Sequence, residues 1–300
     1  MERTSLVLGA GGSIGWVYHL GVLEGVQEAI GLSATDAVRV IGTSAGASIA
    51  ASVLSGATTD DVLAAIAAPI APEDREQIKQ AHANASKLRF LRPQAPGMVF
   101  RGVFHAGLGG LVGLLPAGIY PTVGLSGFPL DPTTPWPENL WVTAVRLGDG
   151  TVEVFGQDKM NASPSLLDAV EASSAVPAMF QPKQIAEHRY LDGAVGSSTH
   201  AHLAAADKPE LVIVAAPMAR PGRSPVRFRA RRQLKREVAT LRATGATVVA
   251  LRPDEAIMDL AEGYPRHRLE AGPAIVAEAR RQTVTALAAP VATLRTNDRS

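Results

Sequence analysis

Twice within the first fifty residues a short apolar run ends in glycine and passes at once into a helical pattern. Leu6-Val7-Leu8 leads into Gly9-Ala10-Gly11-Gly12-Ser13-Ile14-Gly15. Val38-Arg39-Val40-Ile41 leads into Gly42-Thr43-Ser44-Ala45-Gly46 and the small-residue stretch ASIAASVLSG. A strand that turns directly into a helix is the building unit of parallel sheets with crossover helices, so these junctions point to an α/β architecture. Further brief apolar segments at 140–146, 151–155, 211–216 and 247–251 read as strands beside those at 4–8 and 38–41. Helical patterns fall near 15–30, 44–55, 59–68, 164–173, 225–244 and 268–289. The expected fold is α/β, a three-layer domain whose central, mostly parallel sheet carries helices on both faces.

No internal repeat or low-complexity linker divides the 300 residues, so the chain reads as a single domain over 1–300. Residues 69–137 lack a strand signal and are rich in Pro and Gly, which marks an insertion or cap, and the C-terminal part at about 220–300 reads as helical. Inside the insertion, Gly102 to Leu130 runs 29 residues without a charged side chain, long enough to cross a bilayer. Its eight glycines and Pro116, Pro121 and Pro129 argue against a span, because lipid requires an unbroken backbone ladder. It reads instead as an apolar loop-and-helix region.

Composition narrows the function classes. With 46% hydrophobic and 19% charged residues, disorder, collagen and coiled coil are excluded. The absence of cysteine excludes a disulfide framework, a zinc ribbon and a thiol nucleophile. Lys and Arg number 29 against 28 Asp and Glu, so no overall attraction to nucleic acid is expected. The apolar run in MERTSLVLGAGG is too short for a signal-peptide core, which predicts a cytoplasmic protein.

Three constellations carry chemistry. In the first, glycines between a strand and a helix expose backbone N–H groups at the positive end of the helix, where an anion is stabilised. A dinucleotide fingerprint counted from Gly9 needs glycine at position 14, where Ile14 stands, and the next strand ends without the expected acidic residue. The second is Gly42-Thr43-Ser44-Ala45-Gly46, a G-x-S-x-G sequence. A serine on a sharp strand-to-helix turn needs neighbours without bulk two positions away on either side, and the turn lifts its hydroxyl out as a nucleophile. If the first two strands are neighbours, the amides of Gly11 and Gly12 stand where an oxyanion would form beside Ser44. The third is Asp192-Gly193-Ala194 after the short run His188-Arg189-Tyr190-Leu191. A carboxylate at a strand end, kept dry and with a raised pKa, serves as a base for serine directly, although D-G alone reads as a turn.

In this order the glycine loop, GTSAG and DGA, with the run Ala172–Pro182 before the aspartate, resemble the patatin-like phospholipase family in its bacterial branch. The resemblance covers most of residues 4–216. It implies lipid acyl hydrolysis (phospholipase A, lysophospholipase or esterase type) by a serine–aspartate dyad, with no metal or organic cofactor. It assigns Ser44 as nucleophile, Asp192 as proton acceptor and the Gly11 and Gly12 amides as oxyanion hole, with Gly15, Gly42, Gly46 and Gly193 supporting the motifs. The family loop usually reads G-G-G-x-(Arg or Lys)-G. Here Ala10 replaces a glycine and Ile14 replaces the cation, which shifts the expected substrate from phospholipid toward neutral ester or lysolipid.

Two other readings remain beside the dyad. His200 and His202 follow Asp192 closely and would allow a Ser-His-Asp esterase, and the Ile14 departure allows a non-catalytic lipid- or partner-binding member of the fold. His19 reads as a packed core residue, and no residues have metal-ligand spacing. Arg220 to Arg236 carries eight basic residues and no acid. It reads first as a solvated helix face, then as a peripheral contact with anionic lipid, and last as a nucleic-acid surface. The uncharged stretch reads either as core or as an acyl-chain pocket or lid, with Leu111 as a test position.

Overall fold

Strands in the middle of this sheet are apolar on both faces, as a sheet covered on each side by helices requires. The computed structural model describes residues 3–68, 72–83, 94–95, 112–122, 130–157, 164–262 and 268–297. Most of the predicted insertion at 69–137, including Phe104, Leu108 and Leu111, lies outside them.

In chain order the elements are β1 (Thr4–Leu8), α1 (Gly12–Ile30), β2 (Arg39–Thr43), α2 (Ala45–Leu54), α3 (Thr59–Ala67) and α4 (Pro72–Ala83). There follow β3 (Leu140–Arg146), β4 (Val152–Phe155), α5 (Leu166–Ser173), β5 (Lys183–Ile185), β6 (His188–Asp192) and β7 (Leu211–Ala215). The chain continues with α6 (Pro225–Ala243), β8 (Thr247–Leu251), α7 (Glu255–Leu260) and α8 (Arg268–Asn297). The parallel core runs β3-β2-β1-β7-β8.

The period-2 alternation of each strand sorts the core into two layers. Leu6, Leu8, Val40, Val142, Ile213 and Leu251 pack with the apolar faces of α1, α2, α3, α5 and α8. Val7, Ile41, Trp141, Val212, Val214 and Val248 turn the other way, onto Ala230, Leu234 and Leu241 of α6. Two glycines let α1 approach α8 closely. A Cβ at Gly21 would stand 2.3 Å from the Val276 carbonyl oxygen, and one at Gly25 would stand 2.6 Å from Thr283 Cβ.

The register of β3 places two strand ends face to face. Residues 142–143 of β3 pair with both β2 and β4, and residues 144–145 pair with both β4 and β6. A strand has two edges, so β2 and β6 share the edge opposite β4 and arrive from opposite directions. β2 ends with Thr43 against Thr143, and β6 ends with Asp192 against Ala144, the next residue along.

Three elements go beyond the sequence pattern. β5 pairs antiparallel with β6 in a short hairpin, α4 is a polar helix opened by Pro72, and α7 is only six residues long. α8 also continues through Pro290 to Asn297, past the predicted end at 289.

Candidate active site

Ser44 occupies the single residue between β2 and α2, with φ 54° and ψ −121°. Positive φ is costly for a residue with a Cβ, on the order of 1–3 kcal/mol, and persists only where the surroundings impose it. The flanking glycines show what imposes it. A Cβ on Gly42 would lie 2.6 Å from Ala47 Cα, and one on Gly46 would lie 1.9 Å from the Leu8 carbonyl oxygen. The Ser44 amide donates to Ser173 Oγ at 2.8 Å, and Ser173 Oγ donates to the Thr143 carbonyl at 2.7 Å. Ser173 therefore belongs to the candidate site, and the motif pattern did not single it out. Its only sequence signal is its place in the Ala172–Pro182 run.

Ser44 Oγ donates to Asp192 Oδ2 at 2.7 Å. The other carboxylate oxygen accepts the Ala194 amide at 2.8 Å, and the Asp192 amide donates to the Ala175 carbonyl at 3.0 Å. Gly193 follows because a Cβ there would meet the Thr143 carbonyl oxygen at 2.5 Å. Asp192 is buried, and burial pushes its carboxyl up to about 6 against the opposing bonds from Ala194 N–H and the Ser44 hydroxyl. It is thus ionised at neutral pH, yet more basic than a solvent-exposed aspartate.

β1 and β2 are neighbours, with Leu8 opposite Gly42, so the glycine loop emerges beside the serine turn. Gly11 caps α1, and Gly12, with φ +59°, has nothing within 4 Å of where its Cβ would be. A Cβ on Gly15 would touch Ala45 Cβ at 3.1 Å, so the first turn of α1 lies against the residue that follows Ser44. Ala10 has negative φ and tolerates its Cβ. Ile14 packs against the core.

His19 is fully buried, and its Nε2–H donates to the Gly9 carbonyl at 2.6 Å, at the start of the same loop. Burial lowers its pKa to about 4, against the opposing bond to Gly9, so the ring is neutral at working pH. This goes beyond the core role read from sequence, because the ring fixes a loop peptide.

The two histidines after the aspartate are engaged elsewhere. His200 Nε2 lies 3.0 Å from the Gly193 carbonyl oxygen, and His202 Nδ1 lies 3.5 Å from Glu237 Oε1. Asp192 meets Ser44 directly, with no imidazole between them.

The basic run forms the first three turns of α6 and the loop before it. Three of its arginines donate to backbone carbonyls: Arg227 to that of Pro221, Arg229 to those of Ala194, Val195 and Gly196, and Arg231 to those of Arg220 and Gly222. Arg223, Arg232, Lys235 and Arg236 remain exposed, as do Val226 and Phe228. No helix among the described residues is long and apolar enough to cross a membrane.

A crevice of about 490 Å³ lined by Arg231, Arg252, Asp254 and Gln282 opens at the far end of β8, and neither Ser44 nor Asp192 lines it. The contact between Ser44 and Asp192, not cavity size, therefore locates the candidate site.

The family model described as patatin-like phospholipase matches residues 6–205. Among solved structures the chain is similar to VipD from Legionella pneumophila, at 16% identity and a TM-score of 0.45, covering 96% of this chain and 67% of that one. No curated protein matches.

Proposed function

The chain belongs to the patatin-like phospholipase family, a family of lipid acyl hydrolases, and we propose that it cleaves carboxylic esters of lipids through a Ser44–Asp192 dyad. The observation that carries this reading is the 2.7 Å bond from Ser44 Oγ to Asp192 Oδ2, made by a serine held at φ 54°. Asp192 takes the hydroxyl proton as Ser44 attacks the ester carbonyl, and the Gly11 and Gly12 amides at the positive end of α1 donate to the oxyanion. The acyl group passes to Ser44 and the alcohol leaves with the proton. Water, deprotonated by the same carboxylate, then releases the fatty acid.

An apolar surface beside the dyad supports a lipid substrate. Val176 and Met179 are exposed just beyond Ala175, which holds the Asp192 amide. The described part of the uncharged stretch is fastened there, with the amides of Ile119 and Tyr120 donating to the Met179 carbonyl. Leu114 and Leu115 of the same stretch are also exposed. An acyl chain laid on this surface gains about 0.8 kcal/mol per buried CH₂. Ile14 puts an apolar side chain in the first turn after the loop, where a cation could have met a phosphate, which favours neutral ester or lysolipid. We read residues 1–300 as one catalytic unit, because β8 extends the same sheet and α8 packs on α1.

Hydrolysis of p-nitrophenyl esters of short, medium and long acyl chains is the test. Turnover should rise with chain length and vanish in Ser44→Ala. A wild type that turns over none of them, or a Ser44→Ala variant as active as wild type, overturns the reading in favour of a non-catalytic member of the fold.

Peripheral membrane contact is the second part of the proposal, supported by Val226 and Phe228 exposed among Arg223, Arg232, Lys235 and Arg236. Each cation near an anionic surface contributes about 1 kcal/mol. The protein should co-sediment with phosphatidylserine vesicles at low salt, and less with phosphatidylcholine vesicles. Equal sedimentation with both would sink the contact.

A further inference from the structure

Behind the dyad, α6 presents a polar stripe at helical spacing. Arg229, Gln233 and Glu237 fall four residues apart on one face. They bind successive residues of the segment that follows Asp192. Arg229 donates to the carbonyls of Ala194, Val195 and Gly196, and Gln233 Nε2 donates to that of Gly196 at 2.7 Å. Glu237 then accepts the Ser197 hydroxyl at 2.5 Å, the Thr199 hydroxyl at 2.5 Å and the Ala201 amide at 2.7 Å.

The clamped segment serves both halves of the site. At its start is Asp192. In its middle the Ser198 carbonyl accepts the Ala10 amide at 2.8 Å, immediately before Gly11 and Gly12. The Gly9–Ala10 peptide is thus held at both ends, its carbonyl by His19 and its N–H by Ser198. The segment has no strand or α-helix to define its path, only 3₁₀ turns at Gly193–Val195 and Ala201–Asp207 and His200 at φ 51°. Its shape therefore depends on side chains.

We propose that Glu237 is a positioning residue for the reaction, setting the base and the oxyanion loop against Ser44 by clamping Ser197, Thr199 and Ala201. The sequence places it just after the basic run and gives it no motif. Its carboxylate is almost fully buried. Burial alone would raise its pKa, but bonds from His202, Ser197 and Thr199 outweigh burial and hold it at about 2. It is therefore a permanently charged acceptor, whereas Asp192, pushed the other way, is suited to take a proton. Without Glu237, two hydroxyls and one amide lose their acceptor, and the segment relaxes to satisfy them. A shift of about 1 Å at a reacting group costs roughly 10²-fold in rate.

This inference rests on the hydrolase reading, and the experiment separates the two. Ester hydrolysis is measured for wild type, Glu237→Ala, Glu237→Gln, Thr199→Val and Leu241→Ala, with active sites counted by titrating Ser44 to completion with a fluorophosphonate. The expected result for Glu237→Ala is a kcat per titrated site lower by roughly 10 to 100-fold with KM changed by less than about threefold. Glu237→Gln, which keeps one accepting oxygen, should recover most of the loss, and Thr199→Val should show a smaller loss of the same kind. Leu241→Ala, which removes an apolar core contact one turn beyond Glu237 without touching the clamp's hydrogen bonds, should lower the melting temperature and leave kcat per site near wild type.

Unchanged kcat per site in folded Glu237→Ala and Thr199→Val overturns the positioning role. So does a kcat loss in Leu241→Ala equal to that in Glu237→Ala, which would assign the effect to a loosened helix. If Glu237→Ala does not fold, Thr199→Val decides. A wild type without Ser44-dependent turnover overturns the hydrolase reading and this inference with it.

Discussion

Asp192→Asn is expected to lower kcat/KM for ester hydrolysis by roughly 10² to 10⁴-fold, the range for loss of a positioned general base, and to make the protein more stable above pH 6. The two effects share one cause. Asp192 is a dry carboxylate whose pKa rises from 3.8 to about 6 on folding. A raised carboxyl pKa means that the fold disfavours the charge. Its favourable contribution is complete below the unfolded value of 3.8 and is lost as pH rises through about 6. A rise of that size corresponds to about 3 kcal/mol. Asn cannot ionise, and it fits the same bonds by accepting from Ala194 N–H and donating to Ser44 Oγ.

The stability difference between Asp192→Asn and wild type should therefore be small at pH 4, grow through pH 6 and level off above it. The wild type should show the mirror image in rate, with kcat/KM falling below about pH 6 as the base is protonated. Thermal melts at pH 4 and pH 8, with a pH–rate profile, check both halves. A variant less stable than wild type at pH 8, or a wild-type rate flat from pH 8 to pH 5, would contradict a raised aspartate acting as base.

Part of the geometry around the candidate site was legible in the sequence, for reasons that differ residue by residue. The strand-to-helix turn at Ser44 was legible because it restricts the residues two positions away, and that restriction is visible as Gly42 and Gly46. The mostly parallel sheet was legible because strands buried on both faces are written as continuous β-branched runs such as Leu211–Ala215.

The meeting of Ser44 with Asp192 had no local signature. It arises because β6 runs antiparallel along the same edge of β3 as β2, through pairings as distant in sequence as Thr43 with Thr143 and Ala144 with Asp192. β5 escaped notice because three residues, Lys183-Gln184-Ile185, carry too little alternation to read. Ser173 and Glu237 escaped because a hydroxyl that holds a backbone amide, or a glutamate that accepts three donors, looks like any other Ser or Glu. In the basic run, composition could not tell Arg229, bound to three carbonyls, from Arg232, which faces solvent.

Gly46→Ala is expected to be among the most damaging single-methyl changes in the chain, and Gly12→Ala among the milder glycine changes in the same motifs. At Gly46 the new Cβ would lie 1.9 Å from the Leu8 carbonyl oxygen and 2.3 Å from its carbonyl carbon, against an ordinary contact of at least 3.4 Å. The obstruction is backbone in β1, which is paired on both edges with β2 and β7 and cannot retreat. α2 must move instead, carrying Ser44 away from Asp192 and the glycine loop. Overpacking typically costs about 1–3 kcal/mol and more where rigid backbone is met, so a loss of at least about 3 kcal/mol with turnover falling by more than tenfold is expected. At Gly12 nothing lies within 4 Å of the Cβ position, and the cost is the positive φ of 59° alone, about 1 kcal/mol. Urea midpoints and ester turnover measured side by side check the contrast. A Gly46→Ala protein with wild-type midpoint and rate would show that α2 is not seated against Leu8, and the account of how Ser44 is held at positive φ would fall with it.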